Sequence, residues 1–232
     1  MDQVKPKKKI AILQSNYIPW RGYFDLINQV DVFVIYDEVQ YTKNDWRNRN
    51  IIKTPNGPLW LTIPVRQQNL EQKINETRVS LKNWNIKHWN AIKANYTKAP
   101  YFKQYEERFK ELYLGINTDL LSEINLKFIY AVNDILGIKT QIIDSLSLNL
   151  SGNKNERLVD AVLKLNGTHY LSGPSAKNYL DTKLFEENNI QLEWMDYEGY
   201  SEYQQLFPPF SDTVSILDTI FSCGSKIFVL NK

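Results

Sequence analysis

The chain has 232 residues, 43% hydrophobic and 23% charged, with a formal net charge of +2, values of an ordinary globular protein with a sizeable core. So small a net charge leaves no electrostatic footprint for nucleic acid, and the basic start from Lys5 to Lys9 reads as a solubilising terminus. A single cysteine, Cys223, excludes an internal disulfide; no stretch approaches the roughly 18 apolar residues of a membrane span, and no signal-peptide core opens the chain, so a reducing, cytoplasmic setting is expected.

Residues 9–13 form an apolar strand that runs into Gln14-Ser15-Asn16-Tyr17. A short helix follows, and residues 31–36 form a second strand that runs into Asp37-Glu38-Val39-Gln40-Tyr41. Two strands joined through one helix return in the same direction, so they are expected to lie parallel. Both polar loops then fall at the carboxyl edge of one sheet, where open α/β folds place their ligands. Asp31 is expected to cap or begin its strand.

Residues 59–65 make a third strand candidate, preceded by the turn signal Asn56-Gly57, with Pro64 placed at the strand's edge or end. The polar stretch 67–76 reads as a surface loop. Helical patterns cover residues 85–97, 101–113 and 120–136; the last puts Leu120, Leu121, Ile124, Phe128, Val132, Ile135 and Leu136 near one face and stops at Gly137. These helices are expected to form a mostly helical insertion, about 66–137, that covers the crevice of one α/β domain. Alternation then resumes, with strands at 140–144, 168–171 and 190–195 and helices at 155–165 and 182–188. The tail, 215–223, is a short apolar helix stopped by Gly224. Such alternation implies a parallel sheet with helices on both faces.

Several residue groups carry chemistry. Asp37, at the end of an apolar strand, suits a general base. In the loop from Gln40 to Asn50, Arg47 and Arg49 can each fork onto a carboxylate or phosphate, and they alternate with Asn48 and Asn50 on the opposite face of an extended chain. Tyr17, Trp20, Tyr36, Tyr41 and Trp46 are loop aromatics suited to a sugar ring or a base. The turn Ser172-Gly173-Pro174-Ser175, followed by Lys177, offers hydroxyls and backbone N–H groups before a helix, as an anion site does. His169 lies inside a strand and reads as a core histidine, and Cys223 as a structural thiol. No pair of histidines or cysteines has metal-ligand spacing, and neither a Walker loop nor a glycine-rich dinucleotide fingerprint is present.

Taken together, Gln14, Tyr17-Ile18-Pro19-Trp20-Arg21-Gly22-Tyr23-Phe24, the run from Asp31 to Tyr41, Asn48 to Lys53, Trp60 to Val65, Leu171 to Leu180 and Phe210 to Gly224 resemble the WbqC-like protein family over nearly the whole chain. Ser15 departs from the pattern, which has proline after the glutamine. The resemblance implies an enzyme of bacterial O-antigen and surface-polysaccharide biosynthesis. More distantly, Gly22-Tyr23-Phe24-Asp25-Leu26-Ile27 is similar to the Gly-His-x-x-Leu-Ile/Val element of nucleotidylyltransferases and pantoate–amine ligases. Tyr23 replaces its histidine, the group that would steady a phosphoryl transition state.

The expected fold is α/β, a Rossmann-like parallel sheet flanked by helices with the helical insertion. The expected activity is transferase or ligase chemistry, an acyl or aminoacyl group joined in amide linkage to a nucleotide-linked amino sugar. Asp37, Tyr23 and Gln14 are the catalytic candidates. Tyr17, Trp20, Gln40, Tyr41, Arg47, Asn48 and Arg49, with Ser172, Gly173, Ser175 and Lys177, are the binding candidates. A nucleotide with Mg2+ is the one cofactor entertained; partners are the nucleotide sugar and a small donor, nucleic acid entering only as an aminoacyl-tRNA donor, and a homodimer is allowed. Rival readings are a nucleotidylyltransferase acting on a sugar phosphate and a non-catalytic sugar-nucleotide scaffold.

Overall fold

A computed structural model describes residues 6–226, so Lys5 of the basic start lies outside the described residues. The chain divides into two compact units that interleave in sequence. The first comprises the chain up to Gln14 with Asp25–Glu38 and Lys139–Glu198; the second comprises Ser15–Phe24, Val39–Ile138 and the chain from Gly199 onward.

In the first unit, β1 (Lys9–Leu13), β2 (Val32–Ile35), β7 (Gln141–Asp144), β8 (His169–Ser172) and β9 (Gln191–Trp194) form one sheet in the order β7-β2-β1-β8-β9. All four ladders are parallel. The β1–β2 register, Ile10↔Val32 to Leu13↔Ile35, is the one expected from a strand–helix–strand unit closed through α1 (Arg21–Asn28), which divides between the units at Asp25. Asp31, just before β2, accepts a 2.7 Å hydrogen bond from the Lys9 backbone N–H and so caps the start of that strand.

Central strands of such a sheet are buried on both faces, which is why they read as continuous apolar runs. On one face Ile10, Ile12, Val32 and Val34 pack with Val159 and Val162 of α5 (Lys154–Lys164) and Phe185 of α6 (Thr182–Glu187). The Phe185 ring stacks on Tyr170 at 5.2 Å. Helix α5 starts in a capping box, Asn153 with Glu156, which satisfies donors at its first turn.

The second unit departs from one expectation. The strand placed at 59–65 is β4 (Gly57–Thr62), and it pairs antiparallel with β3 (Arg49–Thr54) in a separate two-stranded hairpin. Pro55 and Asn56 alone join the two strands, and a two-residue connection can only reverse the chain. Pro64 accordingly falls outside the strand. A second small pair, β5 (Val65–Arg66) with β6 (Arg78–Val79), brackets the expected polar loop.

The three expected helices appear as α2 (Trp84–Tyr96), α3 (Phe102–Leu114) and α4 (Leu121–Leu136), all within the second unit. They are joined by α7 (Ile216–Cys223), so there are seven α-helices among the described residues. Phe221 of α7 is the hub: Phe102 and Phe109 of α3 meet it at 5.1 and 5.3 Å, and Tyr96 of α2 at 5.4 Å. Gly137 closes α4 at φ +71°, the left-handed cap that glycine adopts without a Cβ clash. No described helix is long and apolar enough to cross a membrane.

Candidate functional site

Strand order locates the candidate site in the first unit. From β1 the chain steps outward through β2 to β7, then returns to the other side of β1 as β8 and steps out to β9. The direction of winding reverses between β1 and β8, and ligands of open α/β sheets occupy the crevice outside the carboxyl ends at that reversal. The β1–β8 ladder is short as well: it pairs only Lys9↔His169 and Ile10↔Tyr170, whereas β8 stays paired with β9 through Ser172↔Trp194. The two central strands pair at their amino ends, and the ladder stops before the edge where Gln14 and Gly173 emerge.

Six of the expected residues belong to this carboxyl edge: Gln14 after β1, Asp37 after β2, and Ser172, Gly173, Ser175 and Lys177 at and after β8. Asp37 is buried, 3% exposed. Beside it Tyr36 and Glu38 meet Arg157 of α5: the guanidinium pairs with the Glu38 carboxylate and lies 5.8 Å from the Tyr36 ring centre. Burial raises the Tyr36 phenol above its ordinary value, the Arg157 charge opposing this only in part, so Tyr36 is a neutral donor. Glu38 Oε1 and Arg157 Nε are buried and have no hydrogen-bond partner among the described residues, so this pair retains one acceptor and one donor. Arg157 escaped the sequence reading because 119 positions separate it from Glu38 and nothing local marks it.

At β8 the structure modifies what was expected of the loop. The segment after Gly173 is a 3-10 turn, Pro174–Asn178, rather than an α-helix, so no long helix dipole points at the turn. Ser172 is 8% exposed and its hydroxyl bonds to the Tyr170 phenol, which engages it with the core. Ser175 is exposed. Gly173 takes an extended conformation open to any residue (φ −68°, ψ 152°), with Tyr197 above it: a Cβ there would stand 3.9 Å from the phenol oxygen. Burial, with a smaller contribution from the Asp25 charge, pushes the Tyr197 phenol up to about 12. Lys177 is exposed, its ammonium 5.6 Å from the Trp194 ring centre.

His169 begins β8, the end of the strand remote from this edge. It bonds Thr168 at 2.8 Å and stands 3.8 Å from Glu193. It is not a base for chemistry at the carboxyl edge.

The remaining expected residues lie in the second unit, dispersed over several surroundings. Tyr17, expected to line a crevice, is fully buried: its oxygen bonds His88 Nδ1 and the Tyr113 hydroxyl, both at 2.8 Å, and its ring meets Phe128 edge-on. Tyr23 is 2% exposed on α1, against Phe24. The cause in both cases is the amphipathic phenol, which packs as a large apolar ring once its oxygen has a partner. Arg47 bonds Asn16 and approaches Asp45 at 3.6 Å. Arg49 donates to the Asn44 carbonyl and lies 4.2 Å from the Trp60 ring centre. These arginines therefore brace the hairpin and its loop. Their alternation with buried Asn48 and Asn50 is as expected. Gln40 is exposed and donates to the Leu70 carbonyl.

Two cavities gather other expected residues of this unit. One, about 540 Å³, is lined by Tyr41 and Asn48 with Lys43, Thr62, Gln67 and Asn69. The other, about 290 Å³, is lined by Trp20 and Trp46 with Asn16, Asn50 and Asp212. Also in this unit, Asp218 is fully buried and accepts from Tyr96 and Tyr203 at 2.8 Å and from Gln205 at 2.9 Å. Burial raises its carboxyl and lowers the nearby Lys53 amine, each charge partly compensating the other. Burial likewise pushes the Cys223 thiol up to about 11, which leaves little nucleophilic thiolate at neutral pH. Among the described residues no group of three or more His, Cys, Asp or Glu is placed to hold a metal ion.

The sequence pattern of the WbqC-like protein family matches residues 14–228. The uncharacterized protein Rv1507c of Mycobacterium tuberculosis is 45% identical over 220 residues, covering 94% of this chain and 95% of that one. No solved structure matches the chain.

Proposed function

Because the chain belongs to the WbqC-like protein family, we propose that it is an enzyme of bacterial surface-polysaccharide biosynthesis that modifies a nucleotide-linked amino sugar by amide-forming acyl or aminoacyl transfer. The observation that carries this reading is the reversal of strand order between β1 and β8, with Gln14 and the Gly173–Ser175 turn at the carboxyl ends. That placement suits a nucleotide diphosphate held by backbone N–H groups of the turn, by the Ser175 hydroxyl and by Lys177.

In the proposed reaction the sugar amine attacks the donor carbonyl. A C–N bond forms, the bond from the carbonyl carbon to the donor's leaving group breaks, and Asp37 takes the amine proton and passes it to that group. The phenols of Tyr36 and Tyr197, both neutral, supply donors for the developing oxyanion. Simple adenylyl transfer is the weaker reading. It would need an imidazole at Tyr23, and that residue is a buried phenol packed on Phe24.

The test is a thermal-shift panel of nucleotide sugars, NTPs and acyl donors, followed by turnover with the stabilising pair. Asp37→Asn is expected to retain the ligand-induced shift and lose at least 100-fold in turnover, the scale of general-base catalysis. Unchanged turnover would remove Asp37 from the mechanism. Pyrophosphate release with a sugar phosphate would favour the nucleotidylyltransferase, and binding without turnover on any donor would favour the scaffold.

A further inference from the structure

The smaller cavity of the second unit, about 290 Å³, has the dimensions of a single ring rather than a dinucleotide. Trp20, Trp46 and Pro19 supply its apolar wall; Asn16, Asn50 and Asp212 supply polar groups. Among the described residues Asp212 is the only charged one that lines it. Among the described residues no ion pair or hydrogen bond engages the Asp212 carboxylate.

Three arginines of the surrounding segments are already committed. Arg21 donates to the Ser201 carbonyl and lies 4.7 Å from the Tyr200 ring centre, Arg47 is held by Asn16 and Asp45, and Arg49 lies over Trp60. The wall is built to stay in place. The Trp20 indole lies against Gly22 so closely that any Cβ there would overlap the ring, and Tyr200 contacts it at 6.0 Å. Trp46, 42% exposed, is backed by Trp60 at 5.6 Å.

The backbone that presents Trp20 is strained. Ile18 sits at φ +38°, a conformation a β-branched residue rarely adopts. Asn50 holds it there, donating from Nδ2 to the carbonyls of Tyr17 and Ile18 at 3.1 and 3.0 Å. Strain of this kind persists where surrounding structure over-determines it, as at ligand clamps.

Indole faces carry negative quadrupole potential, and a carboxylate beside them with no internal counter-charge repels anions and attracts a cation. We propose that this cavity binds a small organic ammonium, an amine carried on a compact ring, with the ring against Trp20 and Trp46 and the ammonium on the Asp212 carboxylate. The inference rests on this cavity alone and stands whether or not the parallel sheet binds a nucleotide.

Titration calorimetry of the full chain with D-glucosamine, against D-glucose as the uncharged match, tests it. Saturable binding of glucosamine at least ten-fold tighter than glucose is expected, and Asp212→Asn should remove that preference. Asp212 is exposed on a loop, so this variant keeps the fold. Trp20→Ala should weaken glucosamine binding at least ten-fold. No saturable binding, equal affinity for the two sugars, or an unchanged preference in Asp212→Asn would each overturn the proposal. Turnover at the sheet edge is a separate readout, so the failure of either idea leaves the other measurable.

Discussion

Acidification should destabilise this protein through one histidine. His88 is 7% exposed; its Nδ1 hydrogen-bonds the Tyr17 hydroxyl, and the Thr62 backbone is a further partner of the ring. Burial depresses it from 6.5 to about 4, the Thr62 contact opposing only weakly. Between those values the unfolded chain takes up a proton that the folded chain refuses, so stability present above pH 6.5 is lost as pH falls toward 4. At 1.36 kcal/mol per pH unit the full loss is about 3 kcal/mol, of which about 2 kcal/mol has gone by pH 5. Protonation at Nδ1 makes that nitrogen a donor, so the Tyr17 hydroxyl must accept from it and turn its own O–H toward Tyr113.

The assay is urea unfolding at pH 7, 6 and 5 for the wild type and His88→Gln. The variant starts less stable at pH 7 because the Tyr17 bond is altered. The gap between the two proteins should then shrink by about 2 kcal/mol at pH 5. Asp218 acts with the opposite sign, since its raised carboxyl pKa makes stability grow as pH falls through that value. It is present in both proteins and cancels in the difference. Glu193, held down at about 2 by Lys7 and Lys9, loses its contribution only below 4.5, outside this range. Parallel pH curves for the two proteins would refute the reasoning.

Other outcomes follow from the same packing arguments. Asp218→Ala leaves Tyr96, Tyr203 and Gln205 without their acceptor and Lys53 without its counter-charge; a loss of about 3–5 kcal/mol by chemical denaturation is expected, partly recovered by adding Lys53→Met. Phe185→Ala opens a cavity beneath Tyr170 in the first unit and should cost about 3–5 kcal/mol by the same assay. Gly137→Ala puts a Cβ at φ +71° and should cost about 1 kcal/mol, read as a lower melting temperature without loss of helical signal.

The elements were largely legible from neighbouring residues. The β1 range of 9–13 is as read, and β2 and α4 are shifted only at their ends; the parallel β1–β2 pairing follows from the crossover. The strand candidate at 59–65 is a strand, but its antiparallel partner was not legible, because an apolar run such as Leu59 to Ile63 looks alike in a parallel sheet and in a ribbon. The placement of the candidate residues was half legible. Asp37 and the β8 turn stand at strand ends, where polar residues after apolar runs put them, whereas Arg157 and Tyr197 carry no local sign of their place at the same edge.

By itself, then, the sequence determined the α/β class, the parallel unit at its start, the helix boundaries and the family, because these depend on periodicities and motifs that span a few residues. Tertiary structure alone decided that winding reverses between β1 and β8, which makes one edge of the sheet the candidate site. It also decided that Tyr17 and Tyr23 are core residues and that Trp20 and Trp46 share a cavity wall with Asp212. The physical reason is one of range. A phenol or indole suits either core or ligand equally well, and the choice is made by partners such as His88, 71 positions from Tyr17, which local pattern does not register.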